Sequence, residues 1–170
     1  MAASEYPFEP KSNAYLLPGQ FWGVPLSDGR WACGRVLGIK RESDDYFPGN
    51  SRTFLAALMD WEGDDLPTPI DIAGRYVVAQ GWAHVLTIQK NGRSILGHRD
   101  LALDGIRGLR QVTHRGGGTV MLYEGATPLR PATREEAVTM PVFSTWGFKV
   151  IAVLAERLFV KRLPLATHDP

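Results

Sequence analysis

Between Pro18 and Ile39 two apolar stretches flank the turn Ser27-Asp28-Gly29-Arg30. Gly takes a positive φ without steric cost and Asp tolerates one, so Asp-Gly between apolar runs predicts a tight antiparallel hairpin. No other stretch constrains the fold as strongly. Side chains alternate across a strand, which puts Trp31, Cys33, Arg35, Leu37 and Ile39 on one face and Ala32, Gly34, Val36 and Gly38 on the other. The second face is almost bare. A backbone or a large ring can lie against such a face, and Trp22 or Phe21 suits that place. The hairpin holds no set of nucleophile, base or metal ligands, so it reads as scaffold.

The rest of the chain is punctuated by turns, with 18 Gly and 12 Pro among 170 residues. Residues 1–17 carry Pro7 and Pro10 and read as an extended arm pinned by Tyr6, Phe8, Tyr15, Leu16 and Leu17. Lys40 to Asn50 is a polar loop. Thr53 to Asp60 is a short apolar run between turns and reads as a strand. Trp61 to Pro69 reads as an acidic, Pro-rich connection. Arg75–Ala79 and Trp82–Gln89 read as two strands separated by Gly81, and Asn91-Gly92 predicts a second hairpin returning into Ser94–Gly97. Thr119–Glu124 is a further strand. Thr133 followed by Glu136 has capping-box spacing, giving a short helix that Pro141 ends. From a cap at Ser144, apolar residues at Phe148, Ile151, Ala152, Ala155, Leu158 and Phe159 recur in steps of three and four, predicting a C-terminal helix stopped by Pro164. The expected architecture is one domain over 1–170, mainly β (α+β): a strongly bent antiparallel sheet or small barrel with a C-terminal helix.

The order Pro-Gly-x-aromatic-x-x-Val-Pro-Leu-x-Asp-Gly-Arg-aromatic-x-x-Gly-Arg-Val-Leu-Gly, Pro18 to Gly38 here, resembles the opening of the immunity protein 26 family. Those small bacterial proteins neutralise polymorphic toxins by binding them. The resemblance is close over Pro18–Gly38 and reaches to about Asp100. It implies a non-catalytic immunity protein whose partner is a cognate toxin protein, covered at its active site or another essential surface.

Charge is distributed unevenly along the chain. Arg41 to Ala73 holds eight acids against two bases, a net of −6, whereas Gly74 to Gly118 holds seven bases against two acids, a net of +5. Two readings follow: adjacent loops that neutralise each other, or an acidic surface that captures a basic partner. Nuclease toxins have basic clefts because their substrate is a polyanion, and complementary charge speeds capture. On the second reading the toxin-binding residues are Asp44, Asp45, Asp60, Trp61, Glu62, Asp64 and Asp65, with Trp61 as aromatic anchor. The alternative is a nucleic-acid-binding module on the basic segment 99–115, using Arg99, Arg107, Arg110 and Arg115, or a small enzyme whose site includes His84 or His98 beside a carboxylate. Aromatics for base stacking are lacking near that segment, so nucleic acid is the lesser expectation.

Other chemistry finds no pattern. Asp60, Glu62, Asp64 and Asp71 approach the spacing of a calcium loop, but Asp65 stands where Gly is needed and Pro67 and Pro69 interrupt. The four His residues show no metal-ligand spacing, Gly116-Gly117-Gly118 lacks the Lys of a phosphate loop, and no Gly-x-Ser-x-Gly elbow occurs. No cofactor, metal or catalytic residue is therefore expected. The single cysteine, Cys33, cannot form an internal disulfide and suits a reduced, cytoplasmic setting. The N-terminus lacks the charged start and apolar run of a signal peptide, and no run reaches the ~20 apolar residues that cross a bilayer.

Overall fold

The computed structural model describes residues 5–39, 50–113 and 118–165. The protein is mainly β, with a six-stranded sheet and a three-stranded one. The larger sheet contains β1 (Gln20–Pro25), β2 (Trp31–Ile39), β3 (Thr53–Gly63), β4 (Val77–His84), β5 (Gly97–His98) and β9 (Thr145–Trp146), in the order β5-β1-β2-β3-β4-β9. All its neighbours pair antiparallel except β4 and β9, which pair parallel. Two-residue strands close each edge, and the sheet remains open rather than forming a barrel.

The expected hairpin is β1-β2, with Pro25 opposite Trp31 and Trp22 opposite Gly34. A Cβ at Gly34 would overlap the Trp22 ring, so the bare position and the large ring form a matched pair. The alternation holds as far as Leu37. A bulge between Val36 and Gly38 then turns Gly38 toward Ala126, on the Cys33 side, and Ile39 toward the other core. One extra residue reverses every later side chain, which the two-residue period cannot foresee.

The sheet is buried on both faces. On one, Trp22, Val36, Phe54, Ala56 and Leu58 pack with Ile151, Ala155 and Phe159 of the C-terminal helical segment. On the other, Phe21, Cys33, Leu55, Ala57, Met59 and Trp61 pack with Ile72, Tyr123 and Phe143. Fully burying a side chain of the Leu or Phe class is worth roughly 1.5–3 kcal/mol. This explains why β2 and β3 read as nearly continuous apolar runs rather than as an alternation with polar residues.

The smaller sheet, β6 (Arg110–Val112), β7 (Met121–Glu124) and β8 (Thr127–Pro131), lies over the second face. It is tied to the large sheet by buried Gln80 on β4. Gln80 Nε2 donates to Gln111 Oε1 at 2.9 Å and to the Leu109 carbonyl at 3.0 Å, and its Oε1 accepts from the Leu109 amide at 2.6 Å. Helix α2 (Arg134–Thr139) carries the capping box expected of Thr133 and Glu136, and Met140 and Pro141 follow its end.

Several expectations are corrected. Gly81 lies inside the single strand β4, because the Trp146 ring occupies the space a Cβ would take. Leu86–Gln89 is the short helix α1, not strand. Asn91-Gly92 forms no hairpin: Asn91 is buried, and its Nδ2 donates to the Thr87 and Phe148 carbonyls at 2.8 and 2.7 Å. The positive φ at Gly92 and Arg93 serves a turn beyond α1 instead. The C-terminal helix α3 (Val150–Ala155) starts later than the periodicity predicts and continues as one wider π turn, Glu156–Val160. Ser144 does not cap it: the Ser144 carbonyl accepts from the Trp82 amide at 2.8 Å as part of the β4-β9 pairing. Phe148 is exposed, not on the buried face. In the arm, Leu16 is buried and Phe8 bridges Ile95, whereas Tyr15 and Leu17 are exposed.

Candidate functional site

Strand β3 continues through Gly63, three residues beyond its expected end. Period-two alternation therefore sorts the acidic run. Trp61 falls on the face of Leu55, Ala57 and Met59 and is buried beside Ile72, with its ring lying over Gly63. It is a core residue and cannot serve as a surface anchor. Asp60 and Glu62 project from the opposite face. Glu62 is engaged internally by Arg30 and by Arg162, the latter at 2.8 Å. Arg30 also donates to the Phe159 carbonyl at 3.0 Å, so Glu62 helps fasten the C-terminal segment to the sheet.

The segment after β3, residues 64–76, leaves the sheet and returns into β4. Asp64 and Asp65 are exposed and form no ion pair among the described residues. Asp71 accepts from the Thr68 amide at 2.9 Å and its hydroxyl at 2.6 Å, and these bonds lower its pKa. The Tyr76 hydroxyl donates to Asp60, which raises the Tyr76 pKa. Among the described residues no group of three or more potential metal ligands comes together, and Glu62 and Asp71 of the calcium-like spacing point to arginines and to Thr68. The same segment carries exposed apolar side chains: Leu66, Tyr76 at 61% exposure and Ile70 at 85%. Sequence reasoning missed these exposed apolar residues. The signal available was an isoleucine placed between Pro69 and Asp71 in a run too polar to be core. Asp44 and Asp45 lie outside the described residues.

A second carboxylate, Asp104, meets the segment at the Gly74 amide. Asp104 lies in the 3₁₀ turn Leu101–Asp104, and its side chain is 1% exposed. It accepts from Arg35 Nη1 at 3.0 Å, from Arg99 Nε and Nη2 at 2.8–3.0 Å, and from the Gly74 amide at 2.9 Å. The Arg99 hydrogen bonds are the main cause that lowers its pKa to about 2, against burial, which raises it. A carboxyl whose folded pKa lies below its ordinary value stabilises the fold above pH ~4 and loses that contribution as pH falls toward 2. We therefore expect the stabilities of wild type and Asp104→Asn, measured by urea titration, to differ at pH 6 and to converge between about pH 4 and pH 2.

The basic segment is partly spent on partners of its own. Arg99 is held by Asp104 and Arg110 pairs with Glu124 at 3.1 Å, whereas Arg107 is exposed. His114 and Arg115 lie outside the described residues. The His84 Nδ1 accepts from the Leu86 amide at 3.1 Å, and the ring pKa is lowered by burial and then by Arg52. The His98 Nε2 lies 3.0 Å from the Pro18 carbonyl. Neither ring hydrogen-bonds to a carboxylate among the described residues. Cys33 is buried, and burial pushes its thiol pKa up. Among the described residues no helix is long and apolar enough to cross a membrane.

No ion pair among the described residues joins the acidic run 41–73 to the basic run 74–118. Comparison with protein-family models, with curated proteins and with solved structures finds no match to this chain.

Proposed function

We propose that the chain is a non-catalytic binder that captures a basic protein, a cognate bacterial toxin, through the segment 60–76. One observation carries the reading: acids Asp64 and Asp65 stand exposed, with no ion pair among the described residues, on the same segment as the exposed apolar side chains of Ile70 and Tyr76. An apolar centre with a charged rim is the usual composition of a protein-binding patch, and rim carboxylates steer a cationic partner in. The resemblance of Pro18–Gly38 to the immunity protein 26 family supports the same conclusion. The anchor differs from the one the sequence suggests: Tyr76 and Ile70 take the place of the buried Trp61. Glu62 leaves the binding set because Arg30 and Arg162 hold its carboxylate.

Reversing charge with Asp64→Lys and Asp65→Lys tests this. Both side chains are exposed, so the fold is retained. Affinity for the captured partner drops roughly tenfold or more at low salt, mostly through slower association. Unchanged affinity in the reversed variant would remove this segment from the interface.

A further inference from the structure

Arg35 occupies a position on β2 whose neighbours on the same face, Cys33 and Leu37, are buried and apolar. Its side chain is fully buried. Taking a guanidinium out of water costs more than one shared carboxylate readily returns. The hydrogen bonding is also incomplete, because Arg35 Nε has no acceptor among the described residues. An apolar side chain of similar length would fill the same volume without that cost, so stability alone does not account for the pair.

What the pair does fix is a position. The donors to Asp104 come from three separate parts of the chain: Arg35 on β2, Arg99 just after β5, and the backbone amide of Gly74 at the end of the acidic segment. Arg35 Nη2 also donates to the Arg99 carbonyl at 2.6 Å, so the turn bearing Asp104 is held at both ends. The Asp100 carboxylate steadies that turn by accepting from the Ala102 amide at 2.9 Å. Between Asp64 and Tyr76 the other attachments are the buried Pro67 and Ile72, Leu66 packed beside Gly23, the Tyr76 carbonyl and hydroxyl bonded to the Asp60 amide and carboxylate, and hydrogen bonds within the segment.

We infer that Asp104, gripped by Arg35 and Arg99, is the positioning residue that holds the Ile72–Arg75 stretch of the segment in a single conformation and so presents the flanking Ile70 and Tyr76 ready for the partner. A segment ordered before encounter avoids paying that ordering on binding. The role in capture rests on the proposed function, whereas the fixing of the segment does not.

Hydrogen exchange on the full chain separates the two. The variants are Asp104→Asn and the apolar replacement Arg35→Met with Asp104→Leu, which removes the charges in a matched way and preserves the fold even where the single variant fails. In the double variant the amides of Ile72, Ala73, Gly74 and Arg75 exchange roughly tenfold or more faster than in wild type, as expected of local opening. The amides of Leu55 to Met59 at the centre of β3 stay protected. Unchanged exchange over 72–75 in the folded double variant would overturn the inference. So would acceleration by one common factor across 72–75 and β3, which marks a global loss of stability. With the partner in hand, affinity falls in parallel with the faster exchange. Faster exchange with affinity retained would leave Asp104 as the fixing residue, overturn its role in capture, and move the interface away from Ile70 and Tyr76.

Discussion

Replacing Arg35 alone with methionine costs about 3–5 kcal/mol, read as a drop in the urea midpoint at unchanged slope. The loss comes from what the substitution leaves behind. Asp104 stays buried with a 1% exposed side chain and with only Arg99 and the Gly74 amide as donors. The Arg99 carbonyl also loses its 2.6 Å donor. Removing one partner of a buried pair is far more damaging than removing both, because the remaining charge cannot regain water. The single variant is therefore less stable than the double Arg35→Met, Asp104→Leu variant, although the double variant carries more changes. An unfolding free energy for Arg35→Met within about 1 kcal/mol of wild type would mean that water reaches Asp104.

Gly34→Val is the second large effect, a loss of about 3 kcal/mol or more and in practice an unfolded or insoluble protein. Gly34 is buried on β2 directly opposite Trp22, whose ring occupies the place of a side chain at position 34. Trp22 is itself fully buried and packs edge-on against Phe54, with ring centroids 5.9 Å apart. It has no free volume into which to retreat, since cores are packed to the density of organic crystals. The matched replacement Gly34→Ala with Trp22→Phe, which removes ring volume as it adds a methyl, loses less than Gly34→Ala alone. Circular dichroism with thermal melting reads both variants.

Local signals account for the parts of the fold that the sequence shows. Asp28-Gly29 sets the first hairpin, bare Gly34 makes room for a tryptophan, and Thr133 with Glu136 caps α2; all these residues lie close in the chain. The errors arise where a distant partner decides. Gly81 looks like a break between strands until Trp146, 65 positions later, is seen to fill its space. Asn91-Gly92 has the composition of a hairpin, yet Asn91 is drawn inward by carbonyls of Thr87 and Phe148. The candidate site follows the same division. The acidic run is legible as composition, but which of its members are free depends on Arg30 and Arg162, far away in sequence, claiming Glu62. Trp61 became a mistaken anchor because β3 extends to Gly63, and a strand three residues longer carries its aromatic onto the buried face. Arg35 could have been noticed as a charged residue on an otherwise apolar strand. Asp104, 69 residues away, could not be paired with it by any local rule.

The central claim is that this chain works by holding a basic protein on the segment 60–76. A pull-down from the native host tests it most directly, using tagged wild type and the Asp64→Lys, Asp65→Lys variant side by side, with salt elution and mass spectrometry. The account predicts a near-stoichiometric basic protein with a toxin-like domain, released by salt from wild type and lost from the variant. Recovery of the same protein by both baits, or of nucleic acid in its place, would contradict it.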